Sequence, residues 1–221
     1  MSLMRSMLGR IAPLFGFRSS RQYWETRYKL GGHSGVGSRG KSAQYKADVL
    51  NRFIAAHEVH SAIEFGCGDG YQLAMLQLQR YVGIDVSPTI VDHCRKTFAG
   101  DSGKTFLLAD DYSGETADLA LSLDVIYHVV EDAVYEHYLA RLFAAGTRFV
   151  VIYATSSEMT ATGTPHVRHR DVASDVSHRF PGFVRMREEE AALPPPVGFD
   201  RGLPVHFMLY ARQAAAAAAD G

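Results

Sequence analysis

The residues best placed to do chemistry lie in "IEFGCGDG", positions 63–70, where Glu64 interrupts an apolar run and Gly66, Gly68 and Gly70 follow at alternate positions. A carboxylate where a strand ends can hold a cation or the donor groups of a ligand. Glycines let backbone approach that ligand without an intervening Cβ. A second apolar run, "YVGIDV", ends at Asp85, 19 residues after Gly66. At that separation a carboxylate can accept both hydrogen bonds of a ribose diol, so the two features point to a ligand containing adenosine.

The elements that must position these residues follow from the apolar pattern. Residues 42–57 read as a helix with Tyr45, Val49, Phe53 and Ile54 on one face. "HSAIEFG" reads as a short strand, and "YQLAMLQLQ" as the helix that follows the glycines. "YVGIDV" is the next strand, "PTIVDHCRKTF" a helix with Pro88 in its first turn, and "TFLLAD" a third strand. "ADLALSLD", the helix "VYEHYLARLFAA" and the strand "RFVVIYAT" come next, with "VHFMLYAR" as the last strand. Strands separated by helices imply parallel β–α–β units around a buried sheet. With 221 residues, 47% hydrophobic and 21% charged, the chain can fill one α/β core, and disordered or fibrous classes are excluded. A formal net charge of -1 gives no broad attraction for nucleic acid or anionic membrane. Cys67 and Cys94, the two cysteines, make neither a disulfide framework nor a metal spacing, and a reducing cytoplasm is the expected compartment.

Charge selects among adenosine ligands. A dinucleotide would bring a pyrophosphate to a strand mouth carrying Glu64 and Asp69, which repel it, whereas S-adenosylmethionine presents an ammonium and a sulfonium. On these residues the chain resembles the class I S-adenosylmethionine-dependent methyltransferases, whose first motif, E/D-x-G-x-G-x-G, is matched by Glu64, Gly66, Gly68 and Gly70. The resemblance runs from about residue 60 to 155, with "YVGIDVSP", "LLADD" and "LALSLDVIYHV" in the places of the second, third and fourth motifs. It implies a Rossmann-like, doubly wound sheet of seven strands, mostly parallel with an antiparallel last strand. It also implies that the loop Gly66, Cys67, Gly68, Gly70 contacts the methionine part, with Glu64 orienting that loop or meeting the amino group. Asp85 would hold the ribose hydroxyls, and Asp110, or Asp111, would lie near the adenine amino group with Val86 or Leu108 against the ring. Asp124 would end the fourth strand beside the cofactor, with Tyr127 and His128 near the methyl-transfer site and His128 as general base. The fourth motif, "LDVIYH", departs from the N/D-P-P-Y/F/W of N6-adenine methylases, and a nucleic-acid substrate is not expected.

Two further segments carry candidate substrate contacts. Residues 23–40, "YWETRYKLGGHSGVGSRG", hold five glycines and read as an irregular lid, anchored by Tyr23, Trp24 and Tyr28, with Arg27, His33 and Arg39 reaching inward. The run resembles a feature of a small bacterial subgroup of the family. In "TPHVRHRDVASDVSHRF", His166, Arg168, His169 and Arg170 gather basic groups that suit an anionic or polyhydroxylated acceptor. No metal is expected, because only the distant His128 or His178 could complete a zinc set. Residues 1–17 read as an amphipathic helix ending near Pro13, for packing or weak membrane-surface or partner contact. No stretch approaches the roughly 20 apolar residues of a membrane span. The division expected is 1–40 for that helix and the lid, 41–213 for the methyltransferase domain and 214–221 for an Ala-rich tail. The expected activity is O- or N-methylation of a small polar or anionic acceptor, such as a sugar or secondary-metabolite intermediate. An NAD-dependent oxidoreductase and a non-catalytic adenosyl-ligand-binding subunit are the alternatives.

Overall fold

The computed structural model describes residues 17–155, 164–187, 198–200 and 203–213. The expected N-terminal amphipathic helix and the Ala-rich tail fall outside them. Ser19 caps α1 (Ser20–Lys29) by accepting from the Gln22 N–H. Next come α2 (Gly40–Ala56), β1 (Ser61–Phe65), a 3-10 turn (Leu73–Met75), β2 (Arg80–Asp85) and α3 (Pro88–Thr97). β3 (Lys104–Leu108) and β4 (Ala117–Leu123) lead through a 3-10 turn (Ile126–His128) to α4 (Asp132–Ala145) and β5 (Gly146–Thr155). The chain continues with α5 (Val172–Arg179), β6 (Phe183–Arg185), β7 (Gly198–Asp200) and β8 (Leu203–Arg212).

Seven strands stand in the order β3-β2-β1-β4-β5-β8-β6, and the short β7 adds to β8. Pairings among β1 to β5 are parallel, while β8 runs antiparallel to β5, β6 and β7. The expected seven-stranded, doubly wound sheet is therefore present, with one short strand more. Two apolar layers cover its faces. Val49, Leu50 and Phe53 of α2 with Val91 and Cys94 of α3 pack on one, and Leu139, Leu142 and Phe143 of α4 with Val172 and Val176 of α5 on the other. Full burial of each such Leu or Phe contributes about 1.5–3 kcal/mol, so the layers fix the sheet and with it the strand ends. Between β1 and β4 the strand order changes direction, and the crevice beyond the carboxyl ends there is where open α/β sheets take ligands.

Residues 71–79 do not form the expected α-helix. Only Leu73–Met75 turn, as a 3-10 helix, and Leu76 is already extended. Three apolar side chains, Leu73, Leu76 and Leu78, are buried in the layer under α2. The backbone groups that a helix would have paired are met by the Asn51 side chain, which donates to the Met75 carbonyl (2.9 Å) and accepts from the Gln77 N–H (2.8 Å). Segment 23–40 is likewise not irregular throughout, because its first seven residues belong to α1 and the glycines begin only afterwards, at Gly31.

Candidate active site

A cavity of about 240 Å³ opens at the carboxyl ends of β1, β2 and β4. Gly66, Gly68 and Gly70 all have positive φ (85°, 56° and 73°), a region that only glycine enters freely. A Cβ on Gly66 would lie 2.5 Å from Val125, and one on Gly68 would strike Ser34, so the loop is hemmed in by the protein itself. Asp85 anchors this loop. One carboxylate oxygen accepts from the Gly68 N–H and the other from the Ser87 N–H, both at 3.0 Å. Glu64, buried beside Asp85 in the cavity wall, accepts from the Tyr81 hydroxyl. Burial is the main reason that Glu64 is pushed up to about 7 and Asp85 to about 6. Removal from water disfavours their charged forms, and a cationic ligand would restore the charge. Val86 also lines the cavity. The Cys67 thiol is buried and pushed well up by its contact with Cys94 and by burial, so it is inert.

Beyond β4, Asp124 adopts φ 60°, held by its N–H to the Tyr153 carbonyl (3.0 Å). Its side chain accepts from Tyr127 Oη at 3.0 Å and pairs with Lys46 Nζ. Lys46 is fully buried on α2, 5.3 Å from the Tyr153 ring, and lines the cavity. His128, also in the wall, lies at hydrogen-bond distance (Nδ1 to the His166 carbonyl, 3.0 Å). A carbonyl only accepts, so Nδ1 carries the proton and Nε2 keeps a lone pair. Burial is the main cause holding the imidazole down, to about 4, and it stays neutral at physiological pH.

The cavity is roofed by α1 and the loop after it. Glu25 accepts from the Ser87 hydroxyl and from the N–H and hydroxyl of Thr89 (3.3 and 2.9 Å) at the N-terminus of α3, where the helix dipole favours a carboxylate. Although burial acts to raise Glu25, donors from Ser87, Lys29 and Thr89 outweigh it and pull the group to about 2. Ser20 bonds Glu131 through its N–H (2.9 Å) and hydroxyl (2.7 Å). Ser34 and Asp69 exchange N–H bonds of 3.2 and 3.0 Å, and the Tyr28 hydroxyl lies 3.2 Å from Ser34. Trp24 meets the His128 ring edge-on at 4.9 Å, and Tyr23 stacks on His166 at 4.1 Å.

Other expected contacts go elsewhere. Asp110 is exposed and faces Arg21 through a two-pronged pair (3.1 and 2.6 Å), so it meets the cavity rim only through that arginine. His33 is exposed and accepts from the Gly35 N–H, while Arg39 pairs with Asp69 and covers Tyr71. Of the basic run, His169 and Arg170 turn into the fold, while Arg168 stays exposed. Arg168 and Arg170 share Asp132 (2.7 and 3.1 Å), Arg170 also donates to the Val129 and Val130 carbonyls, and His169 is buried against Thr155. The reason is local, because those carbonyls precede α4 and need donors. Lys46, Gln72 and Glu25 were missed. Lys46 sits in the apolar stripe Ala43, Ala47, Leu50, Ile54, where a charge is a signal in itself.

The donor set fits a ligand with cationic and hydroxyl groups and without phosphate. Glu64, Asp69, Asp85 and Asp124 line the cavity, and its cations are engaged: Arg21 with Asp110, Arg141 with the Ala109 carbonyl (2.8 Å), and Lys46 with Asp124. Sheet order and acidic crevice together suit a ligand of that charge at the carboxyl ends of the strands. Residues 63–151 match a family model described as "Methyltransferase domain". The fold matches magnesium protoporphyrin IX methyltransferase (ChlM) from Synechocystis PCC 6803 with bound SAH, with a TM-score of 0.62 and 17% identity over 87% of this chain and 98% of that one. It also matches the N-methyltransferase NodS from Bradyrhizobium japonicum WM9 in complex with S-adenosyl-l-homocysteine, with a TM-score of 0.67 and 13% identity over 89% and 100%. No protein of the curated set matches the chain in sequence. The fold is that of the S-adenosylmethionine-dependent methyltransferases, and residues 63–151 match the methyltransferase domain within it. No described helix is long and apolar enough to cross a membrane.

Proposed function

We propose that this enzyme methylates an oxygen or nitrogen of a small polar acceptor, with His128 as the base. The observation that carries this reading is the fixed tautomer of His128, whose Nδ1 proton is committed to the His166 carbonyl and whose Nε2 is left to accept. When bound, the cofactor supplies an electrophilic methyl group on a sulfonium. Positioning then accounts for most of the protein's contribution. Asp85 accepts the ribose hydroxyls, Glu64 and the loop Gly66, Cys67, Gly68, Gly70 hold the methionine end, and Val86 packs on the base. Tyr127 and Lys46 fix Asp124 at the wall beside the reacting centre. A hydroxyl oxygen that gains a methyl group becomes strongly acidic, so even a weakly basic imidazole can take its proton. Trp24 and Tyr28 close the site from the lid, residues 17–40, which opens for exchange.

The acceptor is read from the site, because the same fold is shared by a protein named for magnesium protoporphyrin IX and by one named only as an N-methyltransferase. Arg170 is buried and held by Asp132 and the Val129 and Val130 carbonyls, and neither Arg168 nor Arg170 lines the cavity, which argues against a strongly anionic acceptor and favours a sugar or secondary-metabolite intermediate. Two buried free thiols suit a reducing cytoplasm. The test is to incubate the protein with methyl-labelled S-adenosylmethionine, a small-molecule extract, protein and nucleic acid. Label is expected in the low-molecular-weight fraction, and label confined to macromolecules would refute the reading.

A further inference from the structure

Two adjacent residues of α1 cover the two residues that make the His128 hydrogen bond. Tyr23 lies face to face on the His166 ring, with centroids 4.1 Å and planes 13° apart, and Trp24 meets the His128 ring at 4.9 Å and 78°. The two imidazoles are themselves near-parallel at 5.9 Å. The bond between the two residues runs from His128 Nδ1 to the His166 carbonyl, so donor and acceptor each carry one side chain of the lid.

The partners of that bond belong to separate segments. His128 ends the 3-10 turn after β4, whereas His166 lies beyond β5. On the sheet side, the Arg168 N–H donates to the Tyr127 carbonyl (2.8 Å) and the Val167 N–H to the Thr164 carbonyl (3.0 Å), which places the turn around His166 beside Tyr127. On the lid side, the His166 ring is held by Tyr23. α1 is in turn tied down at two points, at Ser20 by Glu131 and the Val130 N–H, and at Glu25 by Ser87 and Thr89. A neutral histidine can carry its proton on either nitrogen, and the bond that one nitrogen makes decides which.

Resting on the reading of His128 as the base, we infer that Tyr23 is a positioning residue for it. Seated on His166, Tyr23 keeps that carbonyl where it holds the Nδ1 proton, so the tautomer with a free Nε2 is maintained only while α1 covers the cavity. Neither Tyr23 nor His166 lines the cavity, whereas His128 does, and the effect therefore passes through His128. Opening of the lid for ligand exchange then releases the base, and reseating of α1 restores it, which ties proton removal to the closed site.

NMR of the full chain, nitrogen-labelled at histidine and at neutral pH, tests this. The ring nitrogen shifts of His128 report its tautomer, and exchange of the Nδ1 proton with water reports how often its bond opens. Wild type is expected to carry the proton on Nδ1. Tyr23→Ala should speed its exchange about two- to tenfold, as for the loss of one stacked pair, and Tyr23→Phe, which keeps the ring, should restore the wild-type rate. Glu25→Gln, which loosens α1 from α3 and touches neither histidine, should speed it as well, while backbone amides of β4 and β5 keep their wild-type rates in every variant. An Nδ1 exchange rate unchanged in Tyr23→Ala, or unchanged in Glu25→Gln while the amides of α1 exchange faster, would overturn the inference. So would an acceleration shared equally by the β4 and β5 amides, which marks a general loss of stability. A wild-type His128 protonated on Nε2 would overturn the base assignment itself, and the inference with it.

Discussion

Replacing Lys46 with Met should be among the most damaging single changes to stability, and the damage should be repaired by a second change at Asp124. The Lys46 side chain is 1% exposed and that of Asp124 11% exposed. Removing one member of a buried pair leaves the other charged and uncompensated, at a cost of about 3–5 kcal/mol. Because Asp124 lines the cavity and keeps the Tyr127 hydroxyl, the lower figure, about 3 kcal/mol, applies. At about 2–4 °C per kcal/mol for a chain of this size, Tm should fall by roughly 6–12 °C. In Lys46→Met with Asp124→Asn, no buried charge is left alone. Asn tolerates the left-handed backbone at this position and still accepts from Tyr127, so the double variant should return to within about 1 kcal/mol of wild type. Urea denaturation of the four proteins gives the coupling between the two sites, expected to exceed about 1.5 kcal/mol. Additive effects of the two single changes would refute the reasoning.

Glu64 is held at about 7, above its ordinary range, so the folded state keeps a proton that the unfolded chain releases. Its stabilising contribution is full below about pH 4.5 and is lost as pH rises through about 7. Thermal denaturation of Glu64→Gln should show a flatter Tm between about pH 5 and 7, where the folded and unfolded groups differ in protonation, and an unchanged slope in that window would contradict the burial argument. His128, held at about 4 mainly by burial, should show no titration between pH 5.5 and 8 in its NMR ring signals; a midpoint near 6.5 would remove the basis for a committed tautomer. Glu25→Gln weakens the bonds to Ser87 and Thr89, and hydrogen exchange across Ser20–Lys29 should speed up at least tenfold, whereas unchanged exchange would mean that the latch lies elsewhere.

Much of this fold could be read from the chain because its strands are short apolar runs punctuated by glycine, proline and acid. β1, β2, β4 and β5 emerge where the pattern puts them, and the positive φ angles of Gly66, Gly68 and Gly70 match what the motif demands. The failures have physical causes. Residues 71–79 carry good helix formers, but the leucines are buried by α2 and Asn51 supplies the backbone partners, so tertiary packing overrode propensity. α1 was hidden by the glycines that follow it, although Ser19 with Gln22 three residues later is a helix-start pattern. Arg168 and Arg170 looked like ligand readers because no one-dimensional pattern shows that the Val129 and Val130 carbonyls lie within their reach. Lys46 was passed over for the opposite reason, as a lysine that reads as surface until its place in the apolar stripe is counted.

The measurement that tests the central claim most directly is calorimetric titration of wild type and Asp85→Ala with S-adenosylhomocysteine and with NAD. Loss of two charge-assisted hydrogen bonds to a ribose is worth at least about a hundredfold. The account predicts that wild type binds S-adenosylhomocysteine and not NAD, and that Asp85→Ala weakens the former by at least that factor. Binding of NAD alone, or an Asp85→Ala protein with undiminished affinity for S-adenosylhomocysteine, would contradict it.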